Sequence, residues 1–315
     1  MWLLLKYTLL YAGVLSLVAL GGMFAERSGI INIALEGIMV IGGLIGVVMI
    51  NILNAAGVPP FLGIILTILA AGVAGMLYSS LLAFSAVNLK ADQTIGGTAM
   101  NLLATALAVV VAKRINGNDS PKIAYNSTTN GVLSNLNFSF NIGKLTINWF
   151  IVITLVAVAV AWFILYRSRF GMRLMSCGEH PQAAASVGIN VYKMRWAGVL
   201  MSGLLGGIGG MAYIVPAVGD WNFEMGVAGM GFLALAVMIF GQWKPLRIAA
   251  AALFFAVFRA MANIFDSIAF LNALNLPKQI YNMMPYVASM VVLAFTSKKS
   301  RAPKAEGIPY DKGTR

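Results

Sequence analysis

The side chains of this sequence with the most chemical potential are polar ones set in long apolar stretches. Asn32 and Glu36 stand four residues apart in INIALEG, so on a helix they would share one face. Arg259 lies in a later apolar stretch, and Trp221 and Phe223 lie in a short polar and aromatic segment. Because burying such groups in lipid is costly, we predict that they line a hydrophilic path through a membrane. The predicted path residues are Asn32, Glu36, Gln93, Asn101, Trp221, Phe223 and Arg259.

Two structural interpretations compete with a path for each of these residues. Their polar groups could hydrogen-bond neighbouring helices to one another. Alternatively, two of them could form a buried ion pair, such as Glu36 with Arg259. For a single residue these alternatives outweigh a path, whereas the group as a whole favours an aqueous cavity.

The sequence predicts no catalytic site and no metal site. The ten acidic residues are scattered, and His180 is the only histidine. The single cysteine, Cys177, excludes a disulfide within the chain and a multi-cysteine metal site. The chain has no G-x-x-x-x-G-K-[ST] phosphate loop, so we expect no ATP site of that type and no bound cofactor. GIGGMA and GMGFLA match a dinucleotide-binding pattern loosely, but they lie in apolar runs and favour helix packing.

Composition indicates that a lipid bilayer is the solvent for the elements that position these residues. The 315 residues are 60% hydrophobic and 10% charged, with a mean hydropathy of +0.84. Soluble domains carry about 25% charged residues. The net charge of +12 would suit nucleic acid, but in a membrane chain basic residues more often mark cytoplasmic loops. We therefore predict an integral membrane protein that binds no nucleic acid.

Apolar runs of membrane-crossing length predict an all-α, polytopic fold in a single domain, residues 1–315. We expect about nine transmembrane helices, within a range of eight to ten. A Gly-rich apolar stretch precedes a Pro-containing junction in each half, which suggests an inverted repeat. The runs are 2–22, 30–52, 60–87, 93–112, 147–166, 196–216, 229–243, 246–265 and 279–297.

The distribution of lysine and arginine predicts the orientation of the chain. Residues 167–195 hold five basic residues and 298–315 hold six, whereas the asparagine-rich stretch 114–146 holds three. Nine crossings place the two basic stretches on one side and the asparagine-rich stretch on the other. By the positive-inside rule, we predict a cytoplasmic segment at 167–195, a cytoplasmic tail at 298–315 and an extracellular loop at 114–146.

The central polar stretch FGMRLMSCGEHPQAAASVGINVYKMR, residues 170–195, predicts a short helix in water between two spanning helices. We expect Gly171 and Gly178 to break the preceding helix. Glu179, His180 and Pro181 then look like a helix start, because proline is tolerated in a first turn. Gly188 would end this helix, and its small alanine face could lie in a groove. The alternative is a loop that lies on anionic membrane lipid.

Three motifs carry a resemblance to a known family. The stretch 170–195 resembles the cytoplasmic coupling segment of bacterial ABC importer permeases of the sugar, nucleoside and branched-chain amino acid group. Here Cys177 stands at a usually small position and His180 replaces the usual asparagine. ERSGIINIALEGIMVIGGLIG, residues 26–46, is similar to the start of the nucleoside-type permeases in particular, and GMGFLALAVMIFGQWKP, residues 229–245, is similar to a third region of theirs.

The resemblance implies a type II-like ABC importer permease in a bacterial plasma membrane, driven by ATP that a partner hydrolyses. Implied partners are a second homologous permease subunit, a cytoplasmic ATP-binding subunit and an extracellular substrate-binding lipoprotein, with a nucleoside as the transported ligand. The implied ATPase-coupling residues are Gly171, Arg173, Gly178, Glu179, His180, Pro181, Ala184 and Gly188.

Alternative functions are a sugar or branched-chain amino acid permease and a stand-alone secondary transporter. An amino acid or organic acid would require several buried charges, and few are present. A nucleoside is neutral and needs amides and aromatic surfaces. A secondary transporter would need acidic relays in mid-membrane, for which Glu36 alone gives little support.

Overall fold

Helices of membrane-crossing length dominate the computed structural model, which describes residues 2–125, 138–142, 145–216, 220–267, 277–296 and 302–313. Within these ranges, eight helical segments are long and apolar enough to span a bilayer. A further 19-residue helix, Lys278–Thr296, has a more polar first half and contains Pro285. The prediction of an all-α fold with about nine transmembrane helices is confirmed.

The elements are numbered in chain order. The helices are α1 (Trp2–Arg27), α2 (Leu35–Ala55), α3 (Pro60–Ala83), α4 (Gln93–Asn116), α5 (Trp149–Arg167), α6 (Arg169–Glu179), α7 (Pro181–Ser186), α8 (Val191–Ile214), α9 (Met230–Phe240), α10 (Pro245–Asn263) and α11 (Lys278–Thr296). A π-helical turn, Phe84–Asn88, extends α3, and 3-10 turns occur at Phe223–Met225 and Phe265–Ser267. The short strands are β1 (Lys122–Ala124), β2 (Ser139–Ile142), β3 (Leu145–Asn148) and β4 (Asp220–Asn222).

Helix α8 is the centre of the packing and lies against α1, α2 and α3. Its glycines allow the helix backbones to touch. A Cβ atom at Gly207 would overlap the carbonyl oxygen of Ala71 on α3, and one at Gly210 would overlap the carbonyl oxygen of Met39 on α2. Close contact of this kind is the usual way in which membrane helices associate. GIGGMA is therefore a packing motif.

The two ends of the helix bundle carry different structures. At one end, β1 pairs antiparallel with β4, and the Tyr125 hydroxyl donates to the carbonyl of Ile214 where α8 ends. At the other end lie α6 and α7, together with the described part of the tail, where the Ala305 N–H donates to the Gly178 carbonyl. Segment 167–195 and the tail thus share one face.

This arrangement agrees with the relative sidedness that the basic residues predict. The identification of that face as cytoplasmic stays a prediction, as does the extracellular position of 114–146. Residues 126–137 and 143–144 of that loop lie outside the described part of the chain, as do residues 297–301 and 314–315 at the tail.

Candidate functional site

The link between α1 and α2 is a break in the helical structure that runs from the α6–α7 end of the bundle into its interior. Helix α1 ends at Arg27 and α2 begins at Leu35, so Asn32 precedes the helix that carries Glu36. The prediction that Asn32 and Glu36 share a helix face was therefore wrong. Gly29, with a φ of +95°, allows the chain to turn here, because only glycine adopts that conformation without strain.

Two amide side chains of α4 bind the backbone of this link. The Ile31 N–H donates to Oε1 of Gln93 over 2.7 Å. Asn101 accepts from the Gly37 N–H at 2.8 Å through Oδ1 and donates to the Ile33 carbonyl at 3.0 Å through Nδ2. Backbone groups without a helical partner are thereby satisfied, as they must be in a low-dielectric interior. The sequence identified both amides but not these partners.

Asn32 is fully buried and is bonded to the middle of α8. Its Nδ2 donates to Oγ of Ser202 over 2.7 Å, and Ser202 lies about 16 Å along that helix. Within the described residues, Oδ1 of Asn32 and Nε2 of Gln93 are buried without a hydrogen-bond partner. The side chains of Asn32 and Gln93 therefore each have a hydrogen-bonding atom available to a ligand near the middle of the bundle. Ser202 was not predicted, because a serine in a Gly-rich run carries no distinctive signal.

Glu36 binds the beginning of α9. Its two carboxylate oxygens accept from the Gly229 N–H at 2.8 Å and from the Gly231 N–H at 2.7 Å. Helix α9 has only 11 residues, about 16 Å, so it spans roughly half a bilayer and its first N–H groups lie inside the bundle. A carboxylate stabilises those groups and the positive end of the helix. The proposed ion pair with Arg259 is not among the ion pairs of the described residues.

Arg259 lies in an aromatic cluster towards the β1–β4 end of the bundle. Its Nη2 lies 3.4 Å from the hydroxyl of Tyr213, and its guanidinium stands 5.9 Å from the ring centre of Tyr11. Trp221 packs edge-on against Tyr213, with ring centres 5.5 Å apart. Cation–aromatic contacts of this kind stabilise a guanidinium away from water. The two tyrosines were not predicted, since single aromatic residues in apolar runs usually indicate packing.

The predicted path residues therefore fall into two groups and one outlier. Asn32, Glu36, Gln93 and Asn101 meet around the link, which we call the midplane junction (residues 28–37 with the α4 amides and the start of α9). Trp221 and Arg259 belong to the aromatic cluster. Phe223 is fully buried in the hydrophobic core.

The predicted coupling segment contains two consecutive helices, and their glycines have a different role from the one expected. Gly171 and Gly178 do not break a helix, because both lie within α6. A Cβ atom at Gly171 would overlap the carbonyl oxygen of Ile164, and one at Gly178 would overlap that of Arg27. Both glycines instead let α6 pack directly against backbone. Breaks occur at Ser168, which caps α6, and at His180, between α6 and α7.

Glu179 is the last residue of α6, so the expectation that it begins the short helix was wrong. Its carboxylate lies 3.9 Å from Nη1 of Arg27, and Arg27 also donates to the carbonyl of Trp243. The end of α6 is thereby connected to the ends of α1 and α9. Pro181 begins α7 as predicted, and Gly188, with a φ of +83°, follows its end.

Only part of the predicted docking surface around α7 faces outwards. Pro181 and Ala184 are buried against the rest of the chain, and Cys177 packs with Ala184. Burial raises the pKa of the Cys177 thiol, so this residue acts as a small apolar group. Gln182, Ala183, Ser186 and Val187 are exposed, as are Arg173, His180 and Gly188. Val187, with 76% of its surface exposed, was missed.

Helices of membrane-spanning length around a polar junction define a multi-pass membrane protein. Residues 4–294 match the family described as branched-chain amino acid transport system / permease component. The chain belongs to this family, which confirms the resemblance.

Individual relatives are similar over almost their whole length. The chain is 41% identical to the nucleoside ABC transporter permease protein NupC of Lactococcus lactis subsp. cremoris, over 96% of this chain and 95% of that protein. It is 38% identical to the guanosine ABC transporter permease protein NupQ of Bacillus subtilis, over 98% and 96%. Identity to the putative glucose ABC transporter permease protein TsgC13 of Haloferax volcanii is 28%, over 93% and 91%.

Proposed function

We propose that this chain is the membrane-spanning permease subunit of an ATP-driven ABC importer for nucleosides. The observation that carries the proposal is its 41% and 38% identity, over nearly the full chain, to a nucleoside permease and a guanosine permease. The chemistry of the midplane junction agrees with a neutral, polar ligand. Its amides can donate and accept hydrogen bonds, whereas its one carboxylate is occupied by the start of α9.

The transport step would use the junction as an alternating-access barrier. Asn32 and Gln93 each retain a buried polar atom that a ligand or water could satisfy when the bundle opens. The link 28–34 joins α1 to α2 and contacts α4 and α8. A shift of its backbone would therefore move several of the helices that line the path together. Arg259 and Trp221 would form the ligand's entry at the opposite end from α7.

Energy would come from a separate cytoplasmic ATPase that docks on the outward face of α7. The exposed residues Gln182, Val187 and Gly188 offer that contact, and α6 is packed on the end of α1 through Gly178. A displaced α6–α7 pair would therefore push on α1 and the link. A second permease subunit and an extracellular substrate-binding lipoprotein would complete the importer, with α7 and the tail on the cytoplasmic side of a bacterial plasma membrane.

Reconstitution of the importer tests this function directly. The four components are co-expressed and placed in liposomes with ATP inside, and uptake of labelled guanosine, uridine, glucose and leucine is measured. We expect ATP-dependent uptake of nucleosides, competed by other nucleosides and not by glucose or leucine. Uptake by this chain alone, without the ATPase, would instead indicate a secondary transporter. Uptake restricted to glucose or leucine would assign the chain to another branch of its family.

A further inference from the structure

The described tail, residues 302–313, lies beyond the segment that matches the family and is packed into the α6–α7 end of the bundle. Ala305 and Tyr310 are both only 6% exposed. A charged terminal stretch after the last spanning helix would be expected to remain in solvent. These buried positions show that the tail has a fixed place in the fold.

The tail joins the end of α6 to the first residues of the midplane junction. The Ala305 N–H donates to the Gly178 carbonyl at 2.8 Å, and two residues later the Gly307 N–H donates to the Gly29 carbonyl at 3.2 Å. Gly307 has a φ of +75°, and a Cβ atom there would stand 2.7 Å from Cδ1 of Ile31. The tail thus touches both the coupling helix and the residues that precede Asn32.

The tail also packs against the start of α8. Arg195 is 1% exposed, and its Nη1 donates to the Ile308 carbonyl at 2.9 Å. Among the described residues, Nε and Nη2 of Arg195 have no hydrogen-bond partner. The Ile308 carbonyl of the tail is therefore an important acceptor for this buried guanidinium. The ring of Tyr310 packs edge-on against Tyr192 at 5.2 Å.

Two carboxyl groups meet where the tail reaches α1. Glu26 is 4% exposed and accepts from Trp243 Nε1 at 2.5 Å. Among the described residues, Oε2 of Glu306 is buried without a hydrogen-bond partner. Neighbouring buried carboxyl groups repel each other unless one of them holds a proton. Burial raises the pKa of the Glu306 carboxyl. The contact ties the tail to the same α1 end that α6 touches.

We propose that residues 302–313 form a positioning strap that transmits displacement of α6–α7 to the midplane junction. The inference rests on the proposed function, since it supposes that a partner ATPase displaces α6–α7. Without the strap, α6 meets the link mainly through the close contact between Gly178 and the Arg27 carbonyl. With it, the Gly178 end of α6, the Gly29–Ile31 backbone and the start of α8 move as one body.

The test measures nucleoside uptake per ATP hydrolysed by the complete reconstituted importer. Gly307→Val, which strains the strap and overlaps Ile31, should lower this ratio about tenfold while the ATPase still co-purifies. Glu306→Ala, which removes the side chain beside Glu26, should lower it too, and Glu306→Gln, which keeps the size of that side chain without its charge, should retain the normal ratio. Lys304→Gln, a change at an exposed position of the same strap, is the matched control. A normal ratio in both Gly307→Val and Glu306→Ala would overturn the proposal.

A second measurement reads the strap without transport. Tyr310 of the strap packs against Tyr192 at the start of α8, so cysteines at these positions in a Cys177→Ser background can be joined by a short bis-maleimide. A strap that moves with the start of α8 should cross-link to it equally with and without ATP and vanadate, and the linked importer should remain coupled. Loss of cross-linking on nucleotide trapping, or loss of coupling on linking, would contradict it. Absence of any nucleoside uptake by the unmodified importer would count instead against the proposed function.

Discussion

Glu36, in the first turn of α2, accepts a 2.7 Å hydrogen bond from the backbone N–H of Gly231, in the first turn of α9. The two helices therefore begin next to each other inside the bundle, and one carboxylate satisfies N–H groups of the other helix. In a lipid environment water cannot replace that partner. Glu36 is thus a structural residue of the junction, whether or not a ligand touches it.

Removal of the Glu36 carboxylate should destabilise the start of α9. Each hydrogen bond to a charged group contributes about 1.5–3 kcal/mol, and the bonds from the Gly229 and Gly231 N–H groups would be lost in Glu36→Ala. Glu36→Gln keeps one acceptor oxygen and should be intermediate. Thermal unfolding in detergent, followed by size-exclusion chromatography, measures the difference. Glu224→Gln, at an exposed acid in the neighbouring 3-10 turn, is the control, and equal stability of all three variants would refute the capping role.

Replacing Asn101 and Asn32 in turn should distinguish an amide that positions the link from an amide that contacts the ligand. Asn101→Leu leaves the Gly37 N–H and the Ile33 carbonyl without their partner, at about 1–3 kcal/mol for each group. We expect lower transport and lower thermal stability. Asn32→Leu removes the amide with the unused oxygen, so transport should fall more than stability does.

In both amide variants the ATPase should still co-purify, because the α6–α7 face is untouched. Thr98→Val on α4 is the control, since in the described part of the chain its hydroxyl donates to carbonyls of its own helix alone. Full transport in Asn32→Leu would exclude Asn32 from the path.

Substitutions in α6–α7 should fail in a different way. Gly188→Val places a β-branched residue at a φ of +83°, which strains the turn after α7 and adds bulk on the exposed face. Glu179→Arg replaces the partner of Arg27 by a like charge. Both variants should insert normally but weaken ATPase co-purification or uncouple hydrolysis from uptake. Intact association and coupling in both would favour a loop that lies on lipid.

Close packing of α8 should tolerate no side chain at Gly207. Gly207→Val would place a bulky side chain against the Ala71 carbonyl, so we expect loss of folded protein on extraction. Gly96→Ala is the matched control. Its Cβ would meet only Oγ of Ser85, at an ordinary 3.5 Å, so it should accumulate as the unmodified chain does.

Coupling through the strap should weaken as pH rises. The pKa of Glu306 is raised in the docked strap, so the docked state binds the proton more tightly than the undocked one. Docking is strongest below the ordinary carboxyl pKa and is lost as pH rises through the raised one, when two carboxylates would face each other. Of the nearby arginines, Arg195 donates to the Ile308 carbonyl, and Arg27 donates to the Trp243 carbonyl and pairs with Glu179.

Uptake per ATP hydrolysed, measured across a pH series on the α7 side, tests this dependence. Glu306→Gln should flatten the profile because its amide does not titrate. An identical profile in the two proteins would show that another group controls the pH response.

The sequence by itself determined the solvent, the helical class and the positions of the polar groups. Apolar runs of bilayer length leave the backbone no alternative to helices, because every N–H and carbonyl must be satisfied within lipid. Charge placement predicted which loops lie together, and the motifs predicted the family. Asn32, Gln93 and Asn101 were found because amides are conspicuous where lipid excludes them.

Only the tertiary structure decided what those groups contact. Glu36 was a candidate partner of Arg259, yet it binds the start of α9, because that pairing depends on two helices distant in sequence. Gly171 and Gly178 were expected to break a helix, and they instead permit close backbone contact, since sequence spacing does not distinguish these uses. The sequence of the tail predicts a solvated basic stretch because its partners are distant in sequence. The tail bonds to the carbonyls of Gly178 in α6 and Gly29 in the link, and to Arg195 and Tyr192 of α8.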